Sequence, residues 1–272
     1  MLKIFLLGVL LVTVAASESA GQKKATLFSD EFSGASGSGF DTSKWAAETG
    51  GSGWGNQELQ YYTGESANVR LDGKGNLEIV ATRLSTTSGR QCWYGPCTFA
   101  SARLITKGKF EFRYGRAEAR IKVPRGLGVW PAFWMLGSDI EKVGWPACGE
   151  IDIMEFIGKE PTKVFGTIHG PGYSGDDAIS RSTTLPENAK VSDDFHIFAV
   201  EWSESEIRWY LDGKRFSSIS KRDLSKGSRW AFKRPHFLIL NFAVGGKWPG
   251  SPDASTVFPQ SMLIDYIRVT SL

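Results

Sequence analysis

Three carboxylic acids stand within six positions of the sequence, Glu150, Asp152 and Glu155 in the stretch GEIDIMEFIG, set among Ile151, Ile153, Met154, Phe156 and Ile157. Apolar residues at that density predict a buried strand, and successive side chains of a strand point to opposite faces. Glu150 and Asp152 then share a face, whereas Glu155, five steps from Glu150, points the other way. No Lys or Arg lies between Gly149 and Gly158 to neutralise them locally, and an unpaired charge in an apolar strand costs free energy. An edge strand with one wet face would explain Glu150 and Asp152 but leave Glu155 on the apolar side. One extra residue at Ile153 or Met154, a β-bulge, turns everything after it to the other face and brings all three acids into one cleft.

Converging carboxylates can hold a hard cation or run acid/base chemistry. Calcium loops draw their ligands from a Gly turn with polar interleaving, whereas here the interleaving is apolar and extended. Glycoside hydrolysis fits better. With retained stereochemistry it needs two carboxyl groups about 5 Å apart, within reach of same-face strand positions. Crowded like charges cannot all ionise, so the group keeps a proton.

The elements that must position these acids read as strands. NLEIVATR alternates Leu77, Ile79 and Ala81 against Glu78, Val80 and Thr82, and GRAEARIKV alternates Ala117, Ala119, Ile121 and Val123 against charged residues. Asp212-Gly213 between two strand-like runs signals a hairpin, and HFLILNFAV and LIDYIRVT supply two strands near the end. No segment holds a helical period beyond about two turns. The pattern predicts one almost all-β domain over residues 21–272, an antiparallel β-sandwich with long Gly-rich loops. Ten Trp and 31 Gly suit such a sandwich with stacking surfaces.

Lys3, the apolar run Ile4 to Val14 and the small residues Ala15 to Ser17 read as a secretory signal over residues 1–20. The run is roughly half of what crossing a bilayer takes, so no stable membrane span is expected. Export, to the extracellular space or a periplasm, gives the cysteines a meaning. Cys92 and Cys97 in CWYGPC could close a short disulfide loop; a metal site is the alternative, but no His or further Cys stands nearby. Cys148 is left as a buried small apolar residue. With 32 basic and 29 acidic side chains and neither sign in a long run, nucleic acid is not an indicated partner. Nothing demands more than a monomer.

GEIDIMEFIG resembles the catalytic signature of glycoside hydrolase family 16 in its bulged form, E-[ILV]-D-x-x-E. The likeness extends through LFSDEF, WGNQELQYYT, GVWPAFWMLG, TIHGP and NFAVGGKWPG to IDYIRV, and together these resemble the bacterial laminarinase branch. The resemblance implies an all-β jelly roll with an open substrate cleft on its concave sheet, and a retaining endo-hydrolase of β-1,3-glucan that needs no catalytic cofactor. It makes Glu150 the nucleophile, Glu155 the acid and then base, and Asp152 an assistant between them. Trp130, Trp134 and Trp145 stand near the catalytic strand as sugar platforms, with Trp54 and Trp248 as further cleft candidates. The family pattern adds Asn56, Arg83 and Asn241 as hydroxyl partners on the nonreducing side and His169 on the leaving-group side. His169 is alternatively satisfied by backbone groups, and Arg83 paired with a surface acid. The branch often carries a structural calcium far from the cleft, and Glu31, Gly75 and Asp265 match those positions in outline; the alternative is that the two acids cap or solvate chain ends.

Three competing readings share these residues. One is a family member acting on mixed-linkage glucan, or an agarase or carrageenase. A second is a transglycosylase. The third is a non-catalytic glucan-binding module, which would have no use for a crowded acid triplet.

Overall fold

The computed structural model describes residues 24–272, so the expected signal segment lies outside the described residues. Two large, almost wholly antiparallel sheets face each other. The first has ten strands, among them Leu77–Arg83, Gly115–Lys122, Glu206–Leu211 and Gln260–Thr270. The second has seven, in the order Ile179–Thr184, Lys163–His169, Glu150–Glu155, Val129–Gly137, His236–Val244, Arg103–Ile105 and Ala46–Glu48. The longest helix among the described residues is Ile140–Val143, and no helix there is long and apolar enough to cross a membrane.

The main core lies between the sheets and follows the alternation read from the sequence. Ala117, Ala119 and Ile121 are buried while Arg116, Glu118 and Arg120 are half-exposed. Asp212 and Gly213 take positive φ of 50° and 76° at the hairpin between Leu211 and Lys214, the conformation an Asp-Gly turn supplies cheaply. Strand His236–Val244 is buried along its whole length because it is central and covered on both faces. A smaller apolar cluster, Ile105, Leu136, Cys148, Phe237 and Ile239, forms apart from the main core and packs against Trp134. Cys148 is buried there, and burial pushes its thiol up to about 11, so it stays protonated. Cys92 and Cys97 form a disulfide with Cα atoms 5.0 Å apart.

Candidate active site

The register of the catalytic strand settles the parity problem. Against Val129–Gly137, Glu150 pairs with Leu136 and Asp152 with Trp134, but Glu155 pairs with Ala132, and the shift falls at Ile153. The same break appears on the other side, where Asp152 pairs with Thr167 and Glu155 with Phe165. Three acids two residues apart on the partner strand share a face. The consecutive Ile153 and Met154 both join the main core, as a bulge requires. Trp209, from the ten-stranded sheet, donates its indole N–H to the Asp152 carbonyl at 2.8 Å beside this break. Its ring packs where Gly166 has no side chain; a Cβ there would come within 2.4 Å of Trp209 Cδ1.

Both glutamates have indole donors. Trp145 Nε1 donates to Glu150 Oε2 at 2.7 Å. Trp130 Nε1 and Thr167 Oγ1 donate to the two oxygens of Glu155 at 3.2 and 3.1 Å. Asp152 hydrogen-bonds Glu150, and its Oδ2 lies 3.3 Å from His169 Nε2 without hydrogen-bond alignment. Burial comes first in lifting every one of these carboxyls, helped by their mutual charge: Glu150 to about 8, Glu155 to about 7 and Asp152 well above its ordinary range. Taken singly, Glu150 would keep its proton to higher pH than Glu155, the reverse of the roles the resemblance implies. The three titrate as one system, however, and donors decide where a single negative charge rests. Glu150 has the shorter indole donor, 2.7 Å against 3.2 Å for Glu155, which favours charge on Glu150.

The side expected to take the nonreducing sugars is a connected polar floor. Trp134 Nε1 donates to Asn241 Oδ1 at 2.7 Å, Asn241 Nδ2 to the Tyr62 hydroxyl at 3.0 Å, and Tyr62 to the buried Glu58 at 3.1 Å. Asn56 donates to the other Glu58 oxygen, and burial raises the Glu58 pKa. Asn241 keeps one amide hydrogen for a sugar hydroxyl. Sequence reasoning missed Arg103, whose guanidinium lies between the rings of Trp54 and Trp134, 4.7 and 4.8 Å from their centroids, and is anchored by Glu48. It looked like an ordinary strand residue between Ala102 and Leu104; its place beside Asn241 in the sheet reveals it.

Arg83 is a correction. It ends a strand of the ten-stranded sheet, exposed, with its guanidinium over Phe99 and Phe258 at 5.1 and 5.4 Å, so it is not among the cleft residues. Its stated alternative, a surface acid, gives way to these two rings. Trp145 is 48% exposed beside His169, which suits a platform, while Trp130 packs edge-on to Trp248. His169 lies opposite Glu150 and accepts from the Gly175 N–H through Nδ1. Trp54 sits at positive φ in the loop braced by the disulfide hairpin, where Trp93 Nε1 donates to the Glu58 carbonyl at 2.8 Å.

The suggested calcium residues have other partners. Glu31 makes two hydrogen bonds to Arg268, and Asp265 pairs with Arg120 at 2.7 Å. Held by arginine, these two carboxylates do not form a free ligand set. Among the described residues, the grouping of metal-ligand atoms that does come together is Glu150, Asp152 and His169, within 4.8 Å of one another. The shared protons already account for it.

Buried carboxyls brought to one face of a β-sandwich and flanked by indoles define a glycan-cleaving centre. Residues 51–268 match Glycosyl hydrolases family 16, and the chain belongs to that family. It is 39% identical over 238 residues to the "Beta-glucanase" of Rhodothermus marinus, covering 84% of this chain and 79% of that protein. It is 37% identical over 263 residues to "Glucan endo-1,3-beta-glucosidase A1" of Niallia circulans, covering 89% of this chain but only 37% of that longer protein. The solved laminarinase catalytic domain of Thermotoga maritima is similar with a TM-score of 0.85 at 47% identity, covering 92% of this chain and 99% of that one.

Proposed function

We propose that the protein is a secreted endo-hydrolase of β-1,3-glucan that retains the anomeric configuration. The observation that carries this is the bulge at Ile153, which turns Glu155 to the face that holds Glu150. In the first step a Glu150 oxygen attacks the anomeric carbon. The bond to the leaving oxygen breaks, and the Glu155 proton passes to that oxygen. Glycosylation removes the charge on Glu150, so Glu155 ionises more readily and takes a proton from the water that attacks the anomeric carbon, the bond to the Glu150 oxygen breaking to return Glu150 as a carboxylate. Protonated Asp152 donates to Glu150 while it carries charge and holds it against rotation.

Arg103, Asn241 and Trp134 bind the sugars that remain on the enzyme, and Trp145 and His169 face the leaving portion. The names of the relatives favour a β-1,3-glucan over agarose or carrageenan. The disulfide and the leader-like composition of residues 1–20 support export. The protein is expected to act as a monomer. Reducing sugar released from laminarin by the wild type and by Glu150→Ser, each with its laminarin affinity, tests the reading. Cleavage by the wild type alone, with both proteins binding, is the expected result; binding by both with cleavage by neither overturns it.

A further inference from the structure

The segment Lys221 to Arg234, KRDLSKGSRWAFKR, holds six basic residues against one acid. The whole chain carries only +3, so everything outside this segment is net acidic. The near-even overall balance hides this concentration. Few of its charges are used internally. Lys221 lies 3.8 Å from Glu204, and Asp223 is taken up by the backbone N–H and hydroxyl of Ser220. Lys226, Arg229, Lys233 and Arg234 are exposed and have no carboxylate partner among the described residues.

These charges frame a cavity. Lys221, Lys226, Arg229 and Lys233 line a volume of 540 Å³, with Trp230 in its wall. The Trp230 indole N–H is buried without an acceptor, a donor left open beside the cations. Outside the lining, the Arg113 guanidinium donates to the Lys233 carbonyl at 3.1 Å. A cavity with this lining offers donors and positive charge and calls for an anion with several acceptor oxygens.

Its position ties it to the cleft. Arg229 N–H donates to the Pro171 carbonyl and the Tyr173 hydroxyl to the Arg229 carbonyl, both at 3.0 Å, which clamps the segment to the turn just beyond His169. Ala231 and Phe232 pack so closely on Gly149, the neighbour of Glu150, that a Cβ there would lie 3.1 Å from Ala231. The segment that lines the cavity is therefore held against the Glu150 end of the catalytic strand and the turn after His169.

We propose that this cavity binds the anionic group of an acidic polysaccharide, a uronate carboxylate or a sulfate ester on a glycan passing the cleft. That the anion is carried on a glycan rests on the proposed function; anion binding itself does not. Exposed charge pairs are individually weak and screened by salt, so the effect is modest and salt-dependent.

The test uses Lys226→Glu/Lys233→Glu, two exposed positions outside the catalytic machinery. Affinities of this variant and the wild type are measured for carboxymethylated, sulfated and unmodified laminarin at low salt and at about 0.5 M salt, where screening is nearly complete. The wild type is expected to bind one or both anionic glucans on the order of tenfold more tightly than the variant at low salt. That gap closes at high salt, and cleavage of unmodified laminarin is the same for both proteins. The arm with the larger loss tells carboxylate from sulfate. Equal affinity of the two proteins for both anionic glucans overturns the proposal. So does tighter binding of the wild type to duplex DNA or phosphatidylglycerol vesicles than to either. If neither protein cleaves unmodified laminarin while the anionic difference persists, the proposed function fails and the anion site stands.

Discussion

The indole N–H of Trp209 donates to the main-chain carbonyl of Asp152 over 2.8 Å, from the opposite sheet and within the fully buried core. It meets the catalytic strand where the ladder breaks on both sides, and so fixes the bulge that aims Glu155. Trp209→Phe keeps most of the ring and removes the donor. A buried carbonyl left without its partner costs about 1–3 kcal/mol, so thermal unfolding is expected at lower temperature. Misplacing Glu155 should lower kcat by about tenfold or more with KM nearly unchanged, because positioning errors near 1 Å are that costly. Unchanged kcat in a variant of reduced stability would assign Trp209 to packing alone.

The raised carboxyls predict an unusual dependence of stability on pH. Glu150 and Glu155 stand at about 8 and about 7 in the folded protein against an ordinary value of 4.5. The folded state therefore binds protons more tightly than the unfolded chain. This contribution is fully present below about pH 4.5 and is lost as pH rises through 7 to 8. Glu150→Gln and Glu155→Gln should each flatten the fall in melting temperature over that window. Calorimetry from pH 5 to 8.5 checks it, and parallel curves for wild type and variants would count against shared buried protons.

Arg103, which sequence reasoning missed, lies between two indoles, whereas Arg83, which the family pattern suggested, lies over two phenylalanine rings. Arg103→Ala removes a cation held between Trp54 and Trp134 and should raise KM for laminarin by about tenfold or more, since it also leaves Glu48 unpaired. Arg83→Ala should leave KM unchanged, because its guanidinium lies on Phe99 and Phe258 in the other sheet. Initial-rate kinetics on the two variants distinguish them.

What was legible in the sequence depended on local pattern. Period-two alternation marked Gly115–Lys122, and Asp212-Gly213 marked the hairpin between Glu206–Leu211 and Lys214–Ser220, because strand pleat and turn conformation are short-range properties. Glu155 showed itself by being out of phase with its own strand. Arg103 and Trp209 gave no such signal. Each acts through a partner far along the chain, Trp54 and Trp134 for one and Asp152 for the other, and only the sheet pairing brings them together. Arg83 was suggested by the family pattern, which does not show that its guanidinium lies over Phe99 and Phe258. The calcium residues matched in outline, but their carboxylates are engaged by Arg268 and Arg120.

The disulfide hairpin braces the loop that presents Trp54 and Asn56. Gly51 lies so close to it that a Cβ would come within 2.5 Å of Cys92 Sγ, and Trp93 bonds the Glu58 carbonyl. Cys92→Ser/Cys97→Ser should cost about 2 kcal/mol of stability for so short a closed loop. A few-fold rise in KM with kcat retained is expected, as the change is confined to the nonreducing floor. Kinetics and melting curves under nonreducing conditions report both.

The central claim is that the bulge at Ile153 lets Glu150 and Glu155 work on the same bond, one as nucleophile and the other as acid and base. Proton NMR of laminarin digestion in its first minutes tests it most directly, by following the anomeric signals of the new reducing ends before mutarotation. The account predicts the β-anomer first, with the α-anomer growing in only as mutarotation proceeds. An initial α-anomer would contradict it, since inversion needs a water between carboxyl groups farther apart and no glycosyl-enzyme at Glu150.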